Sequence, residues 1–239
     1  MQRYFADIED HRAILSKEDA HHLRDVVRIR VSEEVEIVAQ DGAYLCRVSS
    51  LNPLVIEEIA KIAEKRELEN PLTIAWSLLK GENNDWIVMK GTELGVTTFL
   101  PFLSKRTILK AQAGEEDNRL LRMRKIAKES SQQCRREKIP EVAAYRKYTD
   151  VIDDSYDVKL FAYEELTGHG LSIPEALKGH KAGESILLVI GPEGGFTPEE
   201  AESAKQNGFA LVSLGRRILR AETAAVYGAS LISAWSEEQ

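Results

Sequence analysis

The chain has 239 residues, 43% hydrophobic and 30% charged, which suits a soluble protein with a buried core, and no apolar run approaches the ~20 residues that cross a bilayer. Its two cysteines, Cys46 and Cys134, show no Cys-x-x-Cys or histidine partner pattern; this argues against a disulfide framework or zinc site and for a reducing cytoplasm. The formal net charge of −7 is uneven: −5 over residues 1–70, +4 over 71–145 and −6 over 146–239. A basic middle between acidic flanks still offers a local electropositive track.

Residues 1–70 read as a small β-rich unit. The opening MQRYFADIEDHR holds no apolar segment of the secretory type. Ser16 and Asp19 have the spacing of a helix cap ahead of HHLRDVV. EVEIVAQ and AYLCRVSSL alternate around Asp41-Gly42, a hairpin signal. LVIEEIAKIA fits strand or helix, and the charged EKRELENP reads as a linker.

From Leu72 apolar runs alternate with helical stretches. LTIAWSLL, TTFLPFL, VKLFAY, SILLVI and FALVSL are strand candidates, with a helix over NDWIVMKGTELG and a long one from about Asp117 to Lys138. Runs that are apolar on both faces predict a mostly parallel sheet covered on both sides, an α/β domain over 71–239. Ligands of such sheets sit at the carboxyl ends of the strands. Three such ends stand out: Phe161 to Leu166, Val189 to Phe196, and Ser213 to Thr223.

VIGPEGGFTPEE resembles a phosphate loop only at first sight. Thr197, Pro198 and Glu200 form a capping box with proline at the first helical position. The carboxylates of Glu199, Glu200 and Glu202 would repel a polyphosphate, and the spacing matches neither G-x-G-x-x-G nor a P-loop. Gly191, Gly194 and Gly195 still allow close backbone approach, so a neutral or cationic ligand fits better; a plain tight connection without ligand is the competing reading. In SLGRRILRAETAA, Arg216, Arg217 and Arg220 bracket Ile218 and Leu219, an apolar pair that needs a partner: the core or a planar ring. Small residues at Ala224, Ala225, Gly228 and Ala229 permit close helix packing.

The long helix region holds eight basic and three acidic residues, with Arg124, Lys128 and Arg135 on one face, a phosphate-contacting surface or a solvated one. His21-His22 with Arg24, Arg28 and Arg30 has no metal-ligand spacing and reads as structural or RNA-facing.

Taken together, GPEGGF (191–196), LGRRILRAETA (214–224), KGENNDWIVMKGTELGVTTFLPFLSKRTI, KIAKESSQQCRREKIPEV and the N-terminal RYF, HHLRDVVRIR and DG closely resemble the bacterial 16S ribosomal RNA uracil-N3 methyltransferases, the ribosomal RNA small subunit methyltransferase E family of the SPOUT superfamily. The match spans essentially the whole chain. It departs at Gln132-Gln133-Cys134-Arg135-Arg136, where the family often carries Glu-Gln-Ser-x-Arg.

The resemblance implies a PUA-like β-barrel over 1–70 that grips RNA and a SPOUT domain over 71–239 with a deep trefoil knot. It implies S-adenosylmethionine as methyl donor, a homodimer, and a uridine of 16S rRNA in the small ribosomal subunit as target. The implied cofactor shell is Tyr163, Glu164, Ile190, Gly191, Glu193, Gly194, Gly195, Leu214, Gly215, Ile218, Leu219 and Thr223. Glu193 would stand near the sulfonium, and Ile218 with Leu219 would cover the adenine. Arg220 is the expected catalytic residue, stabilising the developing uridylate, with Glu164, Glu193 and Glu222 as candidate bases. RNA contacts are expected at Arg3, Arg24, Arg28, Arg106, Arg135 and Arg136. The competing function is a non-catalytic RNA-binding protein on the same scaffold.

Overall fold

In the computed structural model, which describes every residue except Glu64, Lys110 and Glu115, the first six strands form one sheet. They are β1 (Arg3–Phe5), β2 (Asp7–Glu9), β3 (Arg12–Ile14), β4 (Glu34–Ala39), β5 (Gly42–Leu51) and β6 (Leu54–Ile62), in the order β1-β4-β5-β6-β3-β2. β1 runs parallel to β4 and the other pairs are antiparallel. The Asp41-Gly42 signal is a two-residue hairpin: Ala39 faces Gly42, whose φ of 139° suits glycine. LVIEEIAKIA resolves as strand, paired antiparallel with β5 from Leu54 to Ile62. Ser16 caps α1 (Lys17–His21), accepting from the Asp19 N–H, and a π-helical turn continues to Val26. Tyr4, Leu23, Val35, Ile37, Val48 and Ile56 fill this unit's core.

The second sheet is wholly parallel. Along the chain come β7 (Leu72–Ser77), α2 (Asn83–Glu93), β8 (Thr98–Leu103), α3 (Asn118–Gln133), β9 (Glu141–Val142), β10 (Arg146–Lys147) and α4 (Tyr148–Ile152). Then follow β11 (Val158–Ala162), β12 (Leu171–Ser172), α5 (Ile173–Ala176), β13 (Ile186–Ile190), α6 (Pro198–Gln206), β14 (Ala210–Ser213) and α7 (Ala221–Glu237). The strand order is β10-β8-β7-β13-β11-β14-β12, with β9 on β8. Side chains alternate between two cores: Leu72, Ile74, Trp76, Leu160 and Leu188 enter one, while Ala75, Phe161, Leu187, Val189 and Phe196 enter the other. Both faces are covered, as the doubly apolar runs predict. α7 comes close because it is small there: a Cβ on Gly228 would lie 2.5 Å from Leu188 Cδ2.

One expectation needs correction. The long helix ends at Gln133, not Lys138, because Arg135 turns left-handed (φ 62°) and the Arg136 N–H returns to the Ser131 carbonyl at 2.9 Å, a Schellman-type stop. The stretch EKRELENP, whose Glu64 lies outside the described residues, holds the boundary between two compact units, at Glu67 and Leu68, as a linker would, and its end is anchored. Asn70 is fully buried, donating to the carbonyls of Lys181 (2.8 Å) and Glu184 (2.9 Å) and accepting from Ser236 Oγ (2.9 Å). The two compact units are Met1–Glu67 with Ser131–Glu137 and Leu68–Ser130 with Lys138–Gln239. Among the described residues no helix is long and apolar enough to cross a membrane.

Candidate active site at the carboxyl ends of the parallel strands

The ends of β11, β13 and β14 converge, with the start of α7, on one cavity of about 680 Å³. Its apolar wall includes Ile190, Leu214 and Leu219. The glycine turn forms one side, and the loop from Leu214 into α7 forms another. The loops are stitched from behind: Tyr163 N–H donates to the Val212 carbonyl (3.1 Å) and Gly168 N–H to the Gly215 carbonyl (2.8 Å).

Ten of the twelve expected cofactor residues line this cavity: Tyr163, Glu164, Ile190, Gly191, Glu193, Gly194, Gly195, Leu214, Ile218 and Leu219. Gly215 and Thr223 do not. Gly215 shapes the turn behind the cavity at φ 108°, and Thr223 is exposed, because the helical step of α7 carries it away from Ala221 and Ala224. Asn83, Thr167 and Arg217 line the cavity without having been singled out as ligands. Asn83 could have been found: it follows LTIAWSLL, a fourth strand end beside the three compared.

Glu193 is engaged elsewhere than expected. Its Oε1 accepts from the Lys80 backbone N–H at 2.9 Å, fastening the glycine turn to the loop after β7. Glu164 lies against Gly195, where a Cβ would fall 1.5 Å from Glu164 Oε1 and push that carboxylate aside, and the φ of 66° favours glycine there. The Glu164 and Glu222 carboxylates and the Arg217 and Arg220 guanidiniums line the cavity without a hydrogen-bond or ion-pair partner among the described residues. Burial, then the neighbouring Glu165 and Glu164 carboxylates, raises the Tyr163 phenol above its ordinary pKa. Ile218 is 80% exposed, whereas Leu219 packs on the core, and both line the cavity.

The two helix starts differ. α6 is closed by its own capping box: Thr197 N–H donates to Glu200 Oε2 (2.9 Å) and Glu200 N–H to Thr197 Oγ1 (3.2 Å). α7 has no side-chain cap at Arg220, and its first turn lines the cavity. The glycine turn therefore offers no vacant helix start to a pyrophosphate, which agrees with a neutral or cationic ligand there.

Of the expected RNA contacts, Arg24 and Arg28 are exposed, and the Arg135 side chain is 43% exposed. Arg3 and Arg136 are not surface cations. Arg3 is 3% exposed, donating to Glu36 Oε2 (2.8 Å) and to the Arg135 and Arg136 carbonyls. Arg136, also 3% exposed, pairs with Glu67. Burial and pairing take both out of any phosphate footprint. Arg106 is exposed, but its Nη1 donates to the Gly194 carbonyl at 2.7 Å.

Comparison with known proteins places the whole chain. A model of the RNA methyltransferase domain matches residues 66–233, and one of the RNA methyltransferase PUA domain matches 15–59. Ribosomal RNA small subunit methyltransferase E of Bacillus subtilis is 33% identical, the match covering 99% of this chain and 98% of that protein. The protein of that name from Mesomycoplasma hyopneumoniae is 32% identical, covering 95% and 96%. A crystal structure of ribosomal RNA small subunit methyltransferase E from Neisseria gonorrhoeae bound to S-adenosyl methionine superposes with a TM-score of 0.86 at 26% identity, covering 98% of both chains. On this evidence the chain belongs to the ribosomal RNA small subunit methyltransferase E family of RNA methyltransferases.

Proposed function

We propose that the protein transfers a methyl group from S-adenosylmethionine to N3 of a uridine in 16S rRNA of the small ribosomal subunit, in the cytoplasm. The observation that carries this reading is a glycine turn leading into the self-capped α6, in one cavity with Arg220, Glu164 and Glu222, which have no ion-pair partner among the described residues. A nucleoside cofactor without phosphates fits that turn: the apolar wall of Ile190, Leu214 and Leu219 suits a purine, and α6 has no vacant start for an anion. When bound, S-adenosylmethionine supplies an electrophilic methyl on a sulfonium. Gly191, Glu193, Gly194 and Gly195 would hold it through backbone, with Tyr163 and Glu164 beside them.

Uridine N3 carries a proton at neutral pH, so the site must favour the anion. Arg220 and the uncapped start of α7 present positive potential to the developing uridylate. A carboxylate takes the N3 proton, and because Glu193 is bound to Lys80 the choice narrows to Glu164 and Glu222. Alignment of the reacting atoms supplies several kcal/mol more, with about 7–11 as the ceiling for such effects.

RNA is gripped by exposed Arg24 and Arg28 of the PUA-like RNA-binding region of 1–70 and by the half-exposed Arg135, which belongs to the same compact unit. On the catalytic unit, the SPOUT domain of 71–239, Arg216 and Arg217 add to the grip; they have no ion-pair partner among the described residues. Closure of the N-terminal sheet into a barrel and a deep trefoil knot belong to the same proposal, the knot supported by β13 entering between β7 and β11. So does a homodimer, supported by exposed Trp86 and Tyr227 on the packed helices α2 and α7. Titration with S-adenosylmethionine tests the reading: saturable binding at one site per chain supports it. RNA binding without cofactor binding would leave a non-catalytic RNA-binding protein.

A further inference from the structure

The turn after β8 is unusually well anchored. Ser77 Oγ, fully buried, lies 2.8 Å from Ser104 Oγ and 2.7 Å from Thr107 Oγ1, and Ser104 N–H donates to Thr107 Oγ1 at 2.8 Å. Lys105 N–H donates to Glu200 Oε1 at 3.0 Å, and Glu200 is 3% exposed. The turn is thus fixed to β7 and α6 on either side of Arg106.

From this platform Arg106 reaches the glycine turn without lining the cavity. Its Nη1 donates to the carbonyls of Gly194 (2.7 Å) and Phe196 (3.5 Å). Its stem runs along Gly194, where a Cβ would lie 3.6 Å from Arg106 Cδ. Glu193 holds the same turn to Lys80, and Gly195 N–H donates to the Pro192 carbonyl at 2.9 Å. The N–H groups of Glu193 and Gly194 are left without a partner among the described residues, and both residues line the cavity.

We propose that Arg106 is a positioning residue for the cofactor: by pinning the Gly194 and Phe196 carbonyls it fixes the fold of the glycine turn, and with it the neighbouring Glu193 and Gly194 amides that remain available to the ligand. This rests on the reading that the cavity takes S-adenosylmethionine. Glycine peptides reorient at little steric cost, so a charge-assisted bond on a fixed platform decides which way they point. Preorganisation of this kind appears in affinity, since an unpinned turn must be ordered on binding.

The test uses the full chain with Arg106→Ala, Arg106→Lys and Lys105→Ala, titrated with S-adenosylmethionine and, separately, with a small-subunit RNA fragment at several salt concentrations. Arg106→Ala should weaken cofactor binding about tenfold or more, the size of one lost charge-assisted hydrogen bond. The KM for cofactor should rise by a similar factor while kcat at saturation holds. Arg106→Lys should recover part of the loss, and Lys105→Ala should stay within about twofold of wild type, because its backbone bond to Glu200 survives. The RNA salt slope should not change. An unchanged cofactor affinity with a salt slope reduced by about 0.7–0.9 would make Arg106 a phosphate contact and overturn the proposal. Equal cofactor losses in Arg106→Ala and Lys105→Ala would overturn it too, by showing a general loosening of the turn. A wild-type chain that binds RNA but no cofactor would instead bring down the functional reading beneath it.

Discussion

Glu193 and Lys80 stand 113 positions apart, yet Glu193 Oε1 accepts the Lys80 backbone N–H at 2.9 Å. A carboxylate in a glycine turn invites the idea of a counter-ion for a sulfonium. The geometry makes it a staple. Glu193→Gln keeps an acceptor oxygen and should bind S-adenosylmethionine within about threefold of wild type, whereas Glu193→Ala should lose about tenfold. The ratio of affinities for S-adenosylmethionine and S-adenosylhomocysteine should stay constant across both. A ratio that collapses in Glu193→Gln would restore the counter-ion role.

Arg220 has the opposite character, a guanidinium in the cavity with no partner among the described residues. Arg220→Ala should cut turnover by about 10²–10³-fold, as loss of one preorganised donor does, with cofactor affinity changed by less than about threefold. Equal losses in both, measured by single-turnover kinetics and titration, would place Arg220 on the cofactor instead.

Arg3 and Arg136 should behave as structural residues. Their side chains are 1% and 4% exposed, each against a glutamate. Replacing either by alanine removes one side of a buried ion pair and should cost about 3–5 kcal/mol, read as a fall in the denaturation midpoint. A flattened RNA salt slope with stability intact would reinstate them as phosphate contacts.

Much of this site is local, and what is local was legible. The Thr197-Pro198-Glu200 capping box, the hairpin at Asp41-Gly42 and the glycine turn all depend on residues within a few positions of each other. Pairings over long separations were not legible. Nothing in the spacing of Arg3 shows that it meets the carbonyls of residues 135 and 136, and nothing in Glu193 shows Lys80. Charge and the family resemblance together therefore placed Arg3 and Arg136 among the RNA contacts. The helix stop was hidden for another reason: a left-handed Arg135 does the work usually given to glycine.

Close packing of α7 gives a stability test. Gly228→Ala gains helix propensity of about 1 kcal/mol, but its Cβ would sit 2.5 Å from Leu188 Cδ2, and overpacking costs about 1–3 kcal/mol. The net effect should be a loss of about 1 kcal/mol, a Tm lower by about 2–4 °C. A higher Tm would mean that α7 packs less tightly on β13.

Stability should also depend on pH through Asp157. Its carboxylate accepts from Ser185 Oγ (2.7 Å) and Ser185 N–H (2.8 Å), joining the starts of β11 and β13, and these bonds hold its pKa below the usual value. A depressed folded-state pKa means stability that is present above the unfolded value of about 4 and lost as pH falls through the folded value. Asp157→Asn should therefore lower Tm near neutrality and flatten its decline below about pH 4. Parallel curves for the two proteins would show that the bonds contribute nothing.

The central claim is that this cavity methylates uridine at N3 in the RNA of the small subunit. The most direct measurement incubates the protein with labelled S-adenosylmethionine and small-subunit RNA lacking the modification, then separates the nucleosides by chromatography and mass spectrometry. Label in 3-methyluridine, absent with Arg220→Ala, is the predicted result. Label on another base, or none from a chain that binds both cofactor and RNA, would contradict it.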